Sequence, residues 1–342
     1  MPSMRNTRRC CSLLISFALL LGLCACSHLP DKSSRTIFAM DTFMSITAYG
    51  ENAEAGLDAA SDALRALEIQ LDPESEGSAV YRLNHGETVS DEAVLAMLDT
   101  CETVFELSGG AFDPTVYPLV KAWGFVDAHY RVPTPEEIRN LLARVDYRQI
   151  SVTDAGASLP AGTELNFGAV AKGYAAQYAA EAMRAAGAEN GILSLGGNVQ
   201  TLGEKPGGGL WEIGVQDPLD ESGAVGTLSV GGDTAVITSG GYRRYFEQDG
   251  KAYHHIFDPR SGYPCDSDLH SVTVVGKDGA LADALSTALF VLGEEAALRL
   301  QAEFRTFELL LITKDGRIVL TSGLSDAFTM RKDSPYTLSN PQ

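Results

Sequence analysis

Apolar residues recur along this chain with two periods, and the switches between them outline its elements. Leu57, Ala60, Leu64, Leu67 and Leu71 lie at helical spacing and predict an amphipathic helix. Val94, Leu98, Cys101 and Phe105 occupy one face of a second, for which Gly109-Gly110 is the stop. Residues 38–49 alternate with the period of a strand and carry Met40-Asp41-Thr42 near their start. Residues 111–125, rich in Pro, Gly and aromatics, read as a loop, and Pro133 and Pro135 open another short helix. Residues 170–186 are helical and end at Gly187; further helices cover 280–292 and a stretch up to Phe304. Short strands are predicted at 191–195, 211–216, 235–238, 253–257, 271–275, 307–313 and 317–320. Strands and helices interleave without the strict alternation of a doubly wound sheet. With no internal repeat and no linker dividing the body, the fold class is α+β: a single domain with a mixed β-sheet and packed helices.

The first residues follow a different logic. Arg5, Arg8 and Arg9 precede an apolar run over 13–23, shorter than the ~20 residues of a spanning helix. A basic start, a short apolar stretch and small residues behind it make an export signal. Leu23-Cys24-Ala25-Cys26 resembles the lipobox of bacterial lipoproteins, in which cleavage leaves a cysteine, here Cys26, to carry lipid. Each acyl CH₂ buried contributes about 0.8 kcal/mol, so a multiply acylated Cys26 would hold a soluble body at a membrane surface. The chain thus divides into a signal peptide (1–25), a polar lipidated tether (26–35), the domain proper (36–330) and a C-terminal tail (331–342). The expected location is the cell membrane, lipid-anchored and facing the extracytoplasmic side, periplasm or cell exterior.

Removing residues 1–25 takes three arginines and no acids, moving the formal charge from −19 to −22. So acidic a body argues against nucleic acid and anionic lipid as partners. It also requires that any phosphate-bearing ligand be shielded by a cation or by backbone dipoles. Of six cysteines, Cys10, Cys11 and Cys24 leave with the signal and Cys26 is the anchor. Cys101 and Cys265 remain; one disulfide is possible, but their spacing gives neither a disulfide framework nor a metal pattern.

Five segments carry candidate chemistry. Asp283 and Thr287 stand one turn apart on one face of an otherwise apolar helix. A carboxylate and a hydroxyl beside a backbone carbonyl form the hard-oxygen set that Mg²⁺ prefers, though Asp283 could equally pair with a neighbouring loop. In 166–174, glycines run into a helix start where free N–H groups favour an anion, with Lys172 close by. Such glycines also serve packing alone. Leu195-Gly196-Gly197-Asn198 is a tight turn or a ligand loop. In 254–262 a strand feeds a Pro/Gly turn, and alternation puts His255 and Phe257 opposite His254 and Ile256. Finally, 110–125 sets aromatics beside a rigid polar turn, suited to a flat ring or to loop packing.

Taken in order, these segments resemble the ApbE family of FAD:protein FMN transferases across nearly all of 36–325. The matching blocks are Met40-Asp41-Thr42-Phe43, the Gly110-Ala111-Phe112-Asp113 segment with Trp123-Gly124-Phe125, Ala169 to Tyr174, and Leu195-Gly196-Gly197-Asn198. Residues 211–218, Thr238-Ser239-Gly240, 255–262 and 282–287 complete the series. The resemblance implies an enzyme that binds FAD with Mg²⁺, transfers FMN to a threonine or serine hydroxyl and releases AMP. By position, Met40, Ala111, Phe112, Asp113, Asn166, Lys172 and Phe257 would contact FAD. Asp283, Thr287 and the Ala169 carbonyl would hold Mg²⁺, and His255 would deprotonate the acceptor. The family usually has Asp at Asn166, so a charge is missing there. Implied acceptors are Rnf- or Nqr-type membrane redox subunits or extracellular flavoproteins. An FAD pyrophosphatase giving free FMN and AMP, and a lipoprotein that only carries flavin, are the alternatives.

Overall fold

The structure, a computed structural model, describes residues 30–339. The chain enters as an antiparallel hairpin of β1 (Lys32–Ala39) and β2 (Thr42–Tyr49), not as the single strand expected over 38–49. Met40 (φ 49°) and Asp41 (φ 58°) form its two-residue turn, the positive-φ geometry whose twist suits a tight hairpin. Five helices follow: α1 (Ala53–Leu71), α2 (Ala79–Asn84), α3 (Glu92–Leu107), α4 (Tyr117–Ala122) and α5 (Pro135–Leu142). The expected loop over 111–125 therefore folds into a 3-10 turn, Pro114–Val116, running into α4. Prolines suit first turns, where the missing N–H has no intrahelical partner to lose. After a small ladder of β3 (Ser151–Thr153) and β4 (Gly156–Ser158) come α6 (Ala171–Ala185), β5 (Asn190–Leu195) and β6 (Asn198–Leu202). Next are β7 (Trp211–Asp217), β8 (Asp220–Val230), β9 (Ala235–Gly240), the hairpin of β10 (Tyr245–Gln248) and β11 (Lys251–His254), and β12 (Leu269–Gly276). The chain closes with α7 (Gly279–Leu292), α8 (Glu294–Phe304), β13 (Glu308–Thr313), β14 (Arg317–Leu320), β15 (Phe328–Met330) and β16 (Thr337–Ser339).

Nine of these strands make a mixed sheet in the order β1-β2-β5-β6-β9-β12-β13-β14-β16, its only parallel pair among the described residues being β14–β16. Helices α1, α6 and α7 cover one face, burying the predicted stripe of Leu57, Ala60, Leu64, Leu67 and Leu71. The small sheet β15-β8-β7 covers the other. Strand β13 shows why its sequence is apolar throughout: Leu309 and Leu311 join the helix-side core, while Leu310 and Ile312 join the core under the small sheet. A third cluster, Leu119, Trp123, Phe125, Ile138 and Phe257, is capped by Phe246 and Tyr253 of the β10–β11 hairpin.

The domain is longer at both ends than 36–330. Lys32 to Arg35, assigned to the tether, are paired in β1. In the supposed tail, Tyr336 is buried with its hydroxyl donated to Asp217 (2.9 Å), and β16 extends the main sheet. Cys101 and Cys265 are both buried and free. The signal peptide and Cys26 lie outside the described residues.

Candidate functional site

Two tight turns bring the candidate residues to one end of the main sheet. Gly196 (φ 58°) and Gly197 (φ 93°) join β5 to β6 beside the Met40-Asp41 turn, and Gly196 N–H donates to the Phe43 carbonyl (3.4 Å). Glycine is required here: a Cβ on Gly196 would stand 2.8 Å from Thr42 Oγ1. Met40 holds its left-handed conformation by donating its N–H to Glu68 Oε1 on α1 (2.7 Å). β6 pairs with β9 only at Val199↔Val236 and Gln200↔Ala235, so Thr238, Ser239 and Gly240 run past the turn. They carry the chain toward Arg243 and Arg244.

Asp283 is the electrostatic centre of this end. Its side chain is buried, with Oδ2 accepting from the Gly173 N–H (2.8 Å) and Oδ1 from Asn198 Nδ2 (3.1 Å). Gly173 is the third residue of α6, whose N-cap Val170 offers no side-chain acceptor. Asp283 therefore supplies the missing cap from another helix. The anion expected at this helix start is the protein's own carboxylate. One turn on, Ser239 Oγ lies 2.7 Å from Ser286 Oγ and 3.1 Å from Thr287 Oγ1, and Ser286 also donates to the Asp283 carbonyl (2.8 Å).

No ion pair neutralises Asp283 among the described residues, and both of its partners are neutral. A carboxylate so buried is costly without a cation. Each of its oxygens keeps a lone pair. With the adjoining hydroxyls and the half-buried Ala169 at the loop before α6, the donor set fits a hard cation such as Mg²⁺. Among the described residues no group of three or more His, Cys, Asp or Glu gathers, so Asp283 would be the sole charged protein ligand.

The two histidines, adjacent in sequence, have opposite roles. The expected strand over 253–257 stops at His254, whose ring folds back. His254 Nε2 lies 3.1 Å from the Cys265 carbonyl, and Nδ1 accepts from the Ile256 N–H (3.2 Å). Both of its nitrogens are spent on the fold. The half-buried His255 places Nδ1 3.1 Å from the Arg244 carbonyl. That bond requires the proton on Nδ1 and leaves the Nε2 lone pair without a protein partner among the described residues. Burial, then the charges of Arg244 and Lys172, push His255 down to about 3, so its ring is neutral near pH 7.

Other expected ligand contacts land differently. Ala111, Phe112 and Phe257 turn their side chains into the cores, so a ligand on those segments meets backbone. Asp113 is buried and works on its own loop: Oδ1 accepts from Thr115 N–H (2.8 Å) and Oγ1 (2.6 Å), Oδ2 from Tyr147 N–H (2.8 Å). Burial raises its carboxyl above the usual range. Its side chain holds this loop. Asn166 likewise folds onto its own segment, accepting from Gly168 N–H, and Lys172 Nζ reaches the Gly168 carbonyl (3.3 Å).

Sequence reasoning passed over Arg243 and Arg244. Arg243 bonds the Gly196 carbonyl and, at 2.9 Å, Gln216 Oε1; Arg244 bonds the Phe125 carbonyl. Two adjacent arginines in so acidic a chain, just past Thr238-Ser239-Gly240, were the available clue. A cleft of about 380 Å³ opens beside Arg243, Gly197, Thr238 and Gln216. A larger cavity, about 890 Å³, lies among Glu294, Arg299, Arg317 and Thr321 and shares no residue with this end of the sheet.

A family model described as the ApbE family matches residues 40–311. A FAD:protein FMN transferase of Treponema pallidum (strain Nichols) is 32% identical over 331 residues, covering 90% of this chain and 91% of its own. Another, of Klebsiella pneumoniae (strain 342), is 37% identical over 254 residues, covering 72% and 78%. Among solved structures, the ApbE protein of Thermotoga maritima superposes with a TM-score of 0.80 at 30% identity, covering 88% of this chain and all of that one. The apo flavinyl transferase ApbE of Pseudomonas stutzeri gives 0.78 at 28% identity, covering 88% and 98%.

Proposed function

The chain belongs to the ApbE family, and on that footing we propose that it is a Mg²⁺-dependent FAD:protein FMN transferase, anchored through a lipid on Cys26. The oxygen of an acceptor threonine or serine attacks the flavin-side phosphorus of FAD. The bond from that phosphorus to the bridging oxygen breaks, AMP leaves with that oxygen, and the hydroxyl proton passes to His255 Nε2. FMN is left on the acceptor as a phosphoester.

The observation that carries this reading is His255, its Nδ1–H tied to Arg244 and its Nε2 open. A base held near 3 is neutral but weak. Bound diphosphate would oppose the charges of Arg244 and Lys172 and raise it toward the working pH. Asp283, Thr287 and the Ala169 carbonyl would hold Mg²⁺, which, when bound, neutralises charge developing on the diphosphate oxygens. Asn198 and the start of α6 orient Asp283. A mere flavin carrier has no use for either arrangement.

The test is incubation with FAD, Mg²⁺ and an acceptor flavoprotein. Covalent flavin fluorescence on the acceptor, abolished by EDTA, is expected. His255→Ala should retain FAD binding while transfer falls about 10²–10⁴-fold. Free FMN with an unlabelled acceptor would make the enzyme a pyrophosphatase, and labelling that persists in EDTA would remove the metal. For the anchor, Cys26→Ser should move the protein from the membrane to the soluble fraction; a variant still in the membrane would refute lipidation at Cys26.

A further inference from the structure

We propose that Arg244 is a positioning residue for the histidine base, fixing through its carbonyl and its guanidinium where the His255 ring stands and which nitrogen is open. The inference rests on the assignment of His255 above. The Arg244 carbonyl accepts from both the backbone N–H and the ring Nδ1 of His255, each at 3.1 Å. One oxygen thus holds backbone and ring of the same residue, so the ring cannot rotate without giving up a bond.

Register shows why this grip needs support. Tyr245↔His254 is the last rung of the β10–β11 ladder, and Arg244 and His255 lie one step beyond it, where a two-stranded ribbon frays. The guanidinium secures that open end by bonding the carbonyl of Phe125, a residue buried in the aromatic cluster whose ring lies 6.4 Å from that of His255. Arg243 turns the other way, to Gly196 and Gln216. Consecutive arginines therefore staple the hairpin to two separate bodies: the sheet end carrying Asn198, and the aromatic segment. The charged and titratable groups that act on His255 are Arg244, Lys172 from α6 and His254, and Arg244 opposes its protonation most strongly of the three. The residue that places the ring also adds its charge to the burial that disfavours protonation.

Two variants of the full-length protein separate these roles. Arg244→Gln removes the charge but keeps N–H donors; Arg244→Lys keeps the charge and loses the planar fork. With ¹⁵N-labelled histidine, the Gln variant should titrate His255 about one pH unit or more higher. The Lys variant should leave it in place, and His254 and His270 should titrate as in wild type in both. At saturating FAD and neutral pH, transfer should fall about tenfold in both variants, with FAD affinity changed less than about threefold. An unshifted His255 titration in the Gln variant, or a loss explained by weaker FAD binding alone, would overturn the inference. If the titration shifts yet His255→Ala still transfers FMN, the base assignment fails instead of the role of Arg244.

Discussion

At the scale of single residues, chemistry here is decided by which polar atoms the fold leaves unspent. Alternation sets His254 and His255 on opposite faces but says nothing of their partners; one has both nitrogens occupied and the other, among the described residues, a single open lone pair. The same burial makes His255 a sensor of acid. Its folded-state value is about 3 against 6.5 for an open chain, so between those limits the unfolded chain binds a proton that the folded chain refuses. Stability is therefore complete above about pH 6.5, declines as pH falls, and stops declining on this account near 3. His254, also lowered by burial, acts in the same direction, whereas Asp113, raised by burial, opposes the trend at the acid end. Chemical denaturation at steps from pH 7.5 to 4.5 should show the midpoint dropping below 6.5. His255→Gln should flatten that drop; an equal slope in variant and wild type would detach the histidine from the effect.

Among elements, the critical contact is the crossing of α6 and α7, where backbone meets backbone. A Cβ on Gly173 would stand 2.0 Å from the Gly279 carbonyl oxygen and 2.7 Å from Asp283 Cβ; one on Gly279 would stand 2.5 Å from the Gly173 carbonyl oxygen. The glycine that sequence reading offered to a phosphate serves to let Asp283 reach the helix start. Gly173→Ala must push the helices apart, costing about 1–3 kcal/mol by overpacking. It should also break the bond to Asp283, so thermal stability and transfer should be lost together. A variant that melts early but transfers at the wild-type rate would leave the crossing with a packing role only. Elements with a clean period were legible: the leucine stripe of α1 and the Asp283/Thr287 spacing of α7 stand where the pattern put them. The β1–β2 hairpin was not, because no glycine marks its turn. Its trace is a change of phase: buried apolar positions are odd through Ile37 and Ala39, then even from Met44 through Ile46 and Ala48. A two-residue turn produces that flip, since paired residues across it share a face but not a parity. The strand over 253–257 failed for the opposite reason. Its alternation was read correctly, but past His255 the chain leaves the β10 ladder to bridge Phe257 with Pro264, and the His254 ring takes the Ile256 N–H.

For the whole molecule, the governing fact is charge. The mature body would carry −22, and its candidate site buries Asp283 with only neutral partners, so that carboxylate repels a diphosphate that Arg244 and Lys172 beside His255 would attract. A divalent cation and FAD should therefore each improve the other's binding, since the cation finds only one charged protein ligand alone, and FAD alone meets an unshielded carboxylate. Ligands that bind only the folded state raise stability by about 2.7 kcal/mol at a hundred times Kd. Thermal melts across a grid of Mg²⁺ and FAD concentrations read this coupling directly. Mg²⁺ alone should raise Tm slightly and FAD alone modestly, while together they should exceed the sum. Asp283→Asn should abolish the excess and keep the FAD-only shift, because it preserves shape while removing the charge that couples the two. Additive shifts in wild type would mean that the carboxylate is balanced by the fold itself, and that FAD meets this acidic body without a metal between them.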